Sequence, residues 1–101
     1  MPRYDVHPLL LAGGGGYVVD VQADLLAALA TRIVVPLMPE AVIRKPIRDL
    51  NPVFEIEGQR HVFVAQALAS IPRRELRRKI LSLAEHRDII TRALDIVFAG
   101  Y

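Results

Sequence analysis

The chain has 101 residues, of which 52% are hydrophobic and only 6% aromatic, and it contains neither cysteine nor tryptophan. This length fits a single domain over residues 1–101, with a modest core of Val, Ile, Leu and Ala that a partner subunit would help to stabilise. The lack of cysteine excludes a disulfide framework and thiolate chemistry, and a net charge of +2 is too small to indicate nucleic-acid binding by itself.

No targeting segment is predicted. The apolar run at residues 9–12 is too short for the core of a signal peptide, and it follows the polar residues Asp5 and His7. No stretch approaches the roughly 20 apolar residues of a membrane span. We therefore expect a soluble, cytoplasmic protein without membrane contact.

The first two predicted strands are residues 4–11 and 17–21, joined by four glycines at residues 13–16. A glycine-rich loop can cradle phosphate, but such a loop needs a helix directly behind it. The residues that follow here are Tyr-Val-Val-Asp-Val, a β-branched run typical of a strand. The glycines are therefore interpreted as a flexible hairpin connection.

The next segments are less regular. Residues 22–30 place Leu25, Leu26 and Leu29 among alanines, which does not distinguish a short helix from an irregular crossover. Residues 31–37 predict a strand halted by Pro36, because proline lacks the donor that a strand ladder needs. Residues 39–50 carry three cations and two prolines and predict a surface excursion.

Residues 53–57 and 61–67 form the most secure predicted hairpin, since residues 53–57 alternate toward Gly58 and residues 61–67 return as a largely apolar run. The chain thus has about five short strands within its first 70 residues, a content typical of a small antiparallel barrel or sandwich.

A basic stretch follows Pro72 and carries five cations in residues 73–79. Leu76 and Ile80 lie at helical spacing, which suggests that the cations cover a packed turn. A solvated face needs no partner and is the favoured interpretation, while phosphate or an acidic peptide remains the alternative.

A C-terminal helix is predicted to begin at Ser82, because Ser82 and Glu85 have the spacing of a capping box. Its apolar face is formed by Ile90, Ala93, Leu94 and Val97. Beyond that face, Phe98 and Tyr101 predict either packing on the chain's own core or a contact patch for another chain.

The residues offer no convincing catalytic set. The three histidines, His7, His61 and His86, lack metal-ligand spacing and are interpreted as surface or capping residues. The carboxylates Asp20 and Asp24 are interpreted as a strand-end residue and a cap.

The candidate hydroxyl nucleophiles are Ser70, Ser82, Thr31 and Thr91. His86 lies four residues from Ser82 and could act as its base. Ser82 already has a predicted capping role, however, and a cap hydroxyl that points at the backbone is poorly placed for attack. We expect no enzyme, no cofactor and no metal.

Five sequence blocks carry a family resemblance that covers essentially the whole chain: YVVDVQAD at 17–24, RIVVPL at 32–37, NPVF at 51–54, ASIP at 69–72 and FAGY at 98–101. In this order the blocks closely resemble the CcdB family of toxin proteins, the toxins of plasmid and chromosomal toxin–antitoxin pairs. The resemblance implies a mainly β fold, an SH3-like antiparallel barrel with a C-terminal helix, assembled as a homodimer.

The same resemblance implies a mechanism. Such a toxin binds the A subunit of DNA gyrase and traps the enzyme on cleaved DNA until a CcdA-like antitoxin wraps and removes it. Contact with DNA and repression of transcription are expected only through the complex with the antitoxin.

The residues that the resemblance assigns to gyrase binding are Leu25, Leu26, Asp95, Phe98, Ala99, Gly100 and Tyr101. Three of them depart from the family pattern. Asp95 stands where Asn is common, Ala99 where Trp is common and Tyr101 where Ile is common. The tryptophan matters most, because a large flat side chain can anchor a partner and an alanine cannot.

Two alternatives remain open. A homologue that keeps the fold and antitoxin binding but has lost poisoning would explain Ala99. A ribonuclease of the related MazF type would need an Arg with a Thr or Ser on adjacent strands, for which Arg32 and Thr31 are weak candidates.

Overall fold

The computed structural model describes residues 2–11 and 14–100. Within them, seven strands form one antiparallel sheet: β1 (Asp5–Leu11), β2 (Gly14–Asp20), β3 (Thr31–Pro39), β4 (Val53–Ile56), β5 (Gln59–Phe63), β6 (Ala69–Pro72) and β7 (Leu81–Ser82). A single α-helix, α1 (Arg87–Ala99), follows the last of these strands. The predicted fold class, a curled antiparallel sheet of the SH3-like barrel type with a C-terminal helix, is confirmed.

Strand β3 is the centre of the sheet. One of its edges pairs with β2. Its other edge is divided, because β6 pairs with residues 31–34 and β5 pairs with residues 37–39. The sheet order is therefore β4-β5-β3-β2-β1-β7, with β6 as a branch, and this division lets a short sheet curl around its core.

The prediction that Pro36 halts β3 was wrong. Pro36 lies inside the strand, paired with Val18 of β2. Its carbonyl oxygen accepts a hydrogen bond from the Val64 amide at 3.0 Å, so its nitrogen also faces the divided edge of β3. Pro36 lies between the residues of β3 that pair with β6 and those that pair with β5, so the missing N–H removes no ladder bond.

The glycine segment also differs from its prediction as a connection. Gly14, Gly15 and Gly16 belong to β2 and pair with residues 9–11 of β1. Backbone pairing needs no side chain, so glycine can extend a hairpin ladder. The predicted connection is therefore shorter than four glycines, and Gly13 lies outside the described residues.

The hairpin of β4 and β5 is confirmed. The turn between them is Glu57-Gly58, with φ of +51° and +83°. Positive φ at both central residues is the mark of the tight turn that matches strand twist. The second strand is shorter than predicted, because the chain leaves β5 after Phe63 and forms a 3₁₀ turn at Ala65–Ala67.

The irregular segments are now assigned. Residues 22–30 contain one 3₁₀ turn, Asp24–Leu26, and residues 40–50 contain another, Glu40–Val42, in a largely exposed excursion. The basic stretch begins with a 3₁₀ turn at Arg73–Glu75, and residues 76–80 then lead to β7 without forming a helix or strand. The strands β6 and β7 were not predicted, since each is too short to show alternation.

The capping-box prediction for α1 was wrong. Ser82 pairs with Asp5 in the sheet, and its hydroxyl oxygen accepts a hydrogen bond from the Ala84 amide at 3.1 Å. This contact supports a 3₁₀ turn at Ala84–His86, after which α1 begins at Arg87. The sheet pairing keeps the Ser82 backbone extended, so the helix starts one turn later than predicted.

The apolar face of α1 is confirmed. Ile90 and Ala93 are fully buried, and Leu94 and Val97 pack partly against the same core. That core also contains Val6, Val19 and Val35 from the sheet, among others. The helix therefore closes one side of the curled sheet.

Two histidines differ from their predicted surface position. His7 and His61 are buried, and the Nδ1 atom of His7 lies 2.7 Å from the Arg77 carbonyl oxygen. His61 packs edge-on against Tyr17, with ring centroids 5.2 Å apart. His86 is exposed, and its side chain forms no capping bond to α1.

Among the described helices, none has the length and apolar character that crossing a bilayer requires.

Candidate partner-binding groove

A hollow of about 310 Å³ separates α1 from the loop after β2. Its walls come from distant parts of the chain: Arg3, Val21, Gln22, Ala23, Leu26, Ile33, Leu68, Thr91, Leu94, Asp95 and Phe98. We call this hollow the Phe98 groove. It brings together three of the residues assigned by resemblance, namely Leu26, Asp95 and Phe98.

The loop wall carries two adjacent leucines on the 3₁₀ turn Asp24–Leu26. Leu26 lines the groove and is 44% exposed, whereas Leu25 projects into solvent at 92% exposure. An exposed leucine beside an apolar hollow offers contact area to a partner without contributing to the core.

The helix wall presents Asp95 and Phe98, which are three residues apart and therefore on the same face of α1. Phe98 is 73% exposed even though it lines the hollow. It therefore covers little of its own core, and most of its ring is available to another chain.

The end of the helix lies beside the groove. Ala99 is exposed and is the last residue of α1, and Gly100 ends the helix with φ of +83° and donates its amide to the Ile96 carbonyl at 3.0 Å. Among the described residues that line the groove, neither Ala99 nor Gly100 is included. Tyr101, the last residue assigned by resemblance, lies outside the described residues.

Gln22 holds the loop wall in place. Its side-chain amide donates to the Leu26 carbonyl at 2.9 Å, and its side-chain oxygen accepts from the Ile33 amide at 3.1 Å. The residue is buried, so these bonds are partly shielded from water. Gln22 therefore positions the backbone of two lining residues, a role that sequence reasoning missed although Gln22 lies in the block at 17–24.

A buried ion pair lies behind this wall. The Arg32 Nη2 atom lies 2.7 Å from Asp20 Oδ2, and both side chains are inaccessible to solvent. Asp20 Oδ1 accepts the Gln22 backbone amide at 3.1 Å, which links the pair to the groove. Burial raises the pKa of the Asp20 carboxyl above its usual range, while the bonds from Arg32 and Gln22 act in the opposite direction.

The charged groups of the groove are Arg3 and Asp95, set in an otherwise mostly apolar lining. Arg3 is held by three contacts. Its Nε donates to the Val21 carbonyl at 3.0 Å, its amide donates to Asp24 Oδ1 at 2.9 Å, and its guanidinium lies 4.8 Å from the Tyr4 ring centroid. The groove thus combines an apolar floor with one fixed cation and one exposed carboxylate.

The other lining residues were missed as site residues. Leu94 belongs to the predicted core face of α1, and Thr91 shares the helix face of Asp95 at helical spacing. Arg3, Ile33 and Leu68 come from three other segments, and no sequence pattern joins them to the helix.

Two pairs of candidate catalytic residues are not brought together as catalytic pairs. Arg32 is fully buried against Asp20, so it presents no guanidinium at a surface beside Thr31. Asp20 and Asp24 bond to different partners and do not form a carboxylate pair. Among the described residues, no group of three or more His, Cys, Asp or Glu side chains could hold a metal ion.

Comparison with known proteins gives one family and one fold. The sequence profile of the family described as "CcdB protein" matches residues 3–100. The structure resembles the Mycobacterium tuberculosis toxin MazF-mt6, with a TM-score of 0.75 at 18% identity over 93% of this chain and 95% of that one.

It also resembles an endoribonuclease in complex with its cognate antitoxin from a mycobacterial species. Here the TM-score is 0.77 at 17% identity, over 97% of this chain and 95% of that one.

Proposed function

This chain belongs to the CcdB family, and from that membership we propose that it is the toxin of a type II toxin–antitoxin pair. In this proposal the protein binds the A subunit of DNA gyrase and traps the enzyme on cleaved DNA. The chain supplies no catalytic step, because the cleaving chemistry belongs to gyrase.

The observation that carries the proposal is the Phe98 groove. It joins Leu26 to Asp95 and Phe98, which are about 70 residues apart in sequence, and leaves the Phe98 ring mostly in solvent. Full burial of a phenylalanine ring in a partner contributes about 1.5–3 kcal/mol, so Phe98 is suited to act as an anchor. The neighbouring Leu25 adds exposed apolar area.

The proposed toxin is a homodimer, in which the symmetry axis doubles the patch formed by Leu25, Leu26, Asp95, Phe98 and the residues at the end of α1. A symmetric target would then meet two copies of the same surface. Ala99, Gly100 and Tyr101 complete the patch in this proposal. Either the aromatic Tyr101 offsets the small Ala99, or the cognate gyrase has a different surface at this point.

Neutralisation is assigned to a CcdA-like antitoxin. One of the similar structures is itself a complex with a cognate antitoxin, which supports a partner of this class for the present fold. Contact with DNA and repression of transcription would then arise only within the toxin–antitoxin complex, and the site of action is the cytoplasm.

The alternative is a homologue that keeps the fold and the antitoxin but does not poison gyrase. Its support is Ala99, an exposed alanine next to Phe98 where the family commonly has tryptophan. A ribonuclease is supported less, since Arg32 is buried in its pair with Asp20.

The test is inducible expression in a sensitive host, with growth and gyrase-cleaved DNA as the two measurements. We expect growth arrest with cleaved complexes for the parent chain and loss of both for Phe98→Ala. Ile47→Ala is the matched control, because Ile47 is 55% exposed but lies in the excursion after β3 and does not line the groove. Normal growth of the parent, with no gyrase recovered on the purified protein, would contradict the proposal.

Two further variants separate the alternatives. Ala99→Trp should create toxicity if the parent is a non-poisoning homologue, and should change little if the parent already poisons gyrase. Arrest accompanied by cleaved RNA and intact DNA would instead favour the ribonuclease.

A further inference from the structure

The positive charge of the chain is concentrated in one short segment. Residues 73–79 contain five cations and one carboxylate, a net charge of +4, whereas the whole chain carries only +2. The remaining residues together are therefore acidic. A local excess of this size attracts anionic groups more strongly than the total charge suggests.

Several of these cations have no bonding partner among the residues that the structure describes. The side chains of Arg74, Arg77 and Arg78 are exposed and form no hydrogen bond or ion pair with any residue in 2–11 or 14–100. By contrast, Lys79 lies 3.8 Å from the carboxylate of Asp5, and Arg73 donates to the Ala27 carbonyl at 3.1 Å. The structure thus pairs the cations at the two ends of the segment and leaves those between them available.

The backbone that carries these arginines is fixed at three points. The Arg73 amide donates to the Ala30 carbonyl at 2.7 Å, the Arg77 carbonyl lies 2.7 Å from His7 Nδ1, and the Ile80 amide donates to the Val6 carbonyl at 2.8 Å. The side chain of Leu76 is buried against Val18 and Val34. The arginine side chains therefore project from a rigid support, which lowers the entropy cost of binding.

Two hollows flank this segment. One of about 650 Å³ is lined by Leu9, Arg74, Glu75, Leu76 and Arg77, and one of about 330 Å³ is lined by Ala30, Arg73, Arg74 and Leu76. They share Arg74 and Leu76 and are therefore adjacent, and we call the two hollows together the Arg74 surface. None of the described residues that line this surface also lines the Phe98 groove.

The chemistry of the Arg74 surface favours one class of ligand. Its lining combines the guanidinium groups of three arginines with the aliphatic side chains of Leu9, Leu76 and Ala30, and it includes one carboxylate, that of Glu75. The three cations outnumber this carboxylate, so the lining keeps a net positive charge. None of the described lining residues is aromatic, so the surface provides no platform on which unpaired bases could stack. Carboxylates can form charge-assisted bonds to the arginines, and an aliphatic side chain fits the hollows between them.

We propose that the Arg74 surface docks an acidic peptide segment that carries aliphatic side chains. The source of that segment is the antitoxin, and this assignment of the source rests on the function proposed above. The antitoxin then contacts the toxin on a face separate from the Phe98 groove, which adds affinity through linked binding without occupying the groove itself.

The binding experiment uses fluorescence anisotropy with a labelled peptide of alternating glutamate and leucine. Arg74→Gln/Arg77→Gln is the test variant, and Arg44→Gln/Lys45→Gln is the matched control, since it removes the same charge from exposed residues outside the Arg74 surface. We expect the parent and the control to bind equally and the test variant to bind roughly tenfold more weakly. Binding should also weaken as salt is raised.

Three results would overturn the docking surface. They are no binding of the peptide, an equal loss in both variants, or equal binding of a peptide in which glutamine replaces glutamate. Binding of duplex DNA or single-stranded RNA of similar length in place of the peptide would also overturn it and would assign the surface to phosphate.

Growth arrest tests the source separately. The Arg74→Gln/Arg77→Gln variant should still arrest growth, because its Phe98 groove is intact, but the adjacent antitoxin reading frame should rescue growth less well than it does for the control. Equal rescue of the two variants would overturn the antitoxin as the source. A parent chain that does not arrest growth contradicts the proposed function. The anisotropy result is independent of growth and alone decides whether the Arg74 surface binds an acidic peptide.

Discussion

Arg32 and Asp20 form an ion pair in the interior, with Nη2 2.7 Å from Oδ2 and Nε 2.9 Å from the same oxygen. Neither side chain is exposed to solvent. The pair joins the end of β2 to the start of β3, across the loop that forms one wall of the Phe98 groove. Arg32 is therefore a structural residue that supports the groove.

Removing one partner of this pair should destabilise the protein strongly, because the other charge is left buried and unpaired. We expect Asp20→Asn and Arg32→Met each to lower the free energy of unfolding by about 3–5 kcal/mol. Urea unfolding followed by circular dichroism measures the loss. The double variant should lose clearly less than the sum, and a strictly additive result would contradict direct coupling.

Gln22 should control the shape of the groove wall. Gln22→Ala removes the acceptor of the Ile33 amide and the donor to the Leu26 carbonyl, at a cost of about 1–3 kcal/mol for the buried groups left unpaired. Hydrogen exchange should become faster at the Ile33 amide.

The Val21 amide, which donates to the Ile33 carbonyl, should keep more of its protection. The control is Gln59→Ala, since Gln59 is exposed and its side chain forms no bond among the described residues. Faster exchange at Ile33 in that control would count against the assignment.

A larger side chain at position 100 should fit sterically, but the positive φ of Gly100 should be hard for other residues to adopt. A Cβ at this position would meet no atom within 4 Å, yet φ is +83°, which other residues adopt at a cost of about 1–2 kcal/mol. Gly100→Val should therefore shift the end of α1 and reduce growth arrest, whereas Gly100→Asn should retain more of both, because asparagine adopts this conformation more readily. Equal behaviour of the two variants would show that side-chain volume matters instead.

Alanine substitutions of Phe98 and Phe54 should differ in their effect on stability, because Phe98 is proposed to bind a partner and Phe54 packs in the core. Phe54 is buried and packs against Phe63 with ring centroids 6.1 Å apart, so Phe54→Ala should lower stability by about 3–5 kcal/mol. Phe98→Ala should change stability by no more than about 0.5 kcal/mol because the ring is mostly exposed. Thermal unfolding of the two variants checks this difference. A large loss of stability in Phe98→Ala would show that Phe98 contributes to the core.

The Tyr17 hydroxyl donates a hydrogen bond to Glu57, and this bond raises the pKa of the phenol above 10.0. A raised pKa in the folded state means that the associated stability is present below the unfolded pKa and is lost as pH rises through the folded value. Ultraviolet titration of phenolate should show the Tyr17 transition moving to lower pH in Glu57→Gln. Tyr17→Phe identifies the transition, and an unmoved titration would show that the bond does not persist in solution.

Local sequence signals predicted the elements whose pattern is complete within one segment. The hairpin around Gly58 and the apolar face of α1 were both recognisable, because alternation and helical spacing are properties of consecutive residues. The start of α1 was placed wrongly because Ser82 is recruited into the sheet by Asp5, a residue far away in sequence. The prediction for Pro36 was wrong for a similar reason. Whether a proline ends a strand depends on whether a neighbouring strand needs its missing N–H, and the sequence does not show which strand pairs with β3 at that point.

The sequence by itself determined the family and the mainly β fold with one C-terminal helix, because motif blocks and periodicity are local. Only the tertiary structure decided that Leu26 and Phe98 share one groove, that Gln22 positions its wall and that Arg32 is buried. It also showed which cations of residues 73–79 form no hydrogen bond or ion pair with residues 2–11 or 14–100. Burial and partnership depend on contacts between distant segments, and those contacts arise only when the sheet curls around its core.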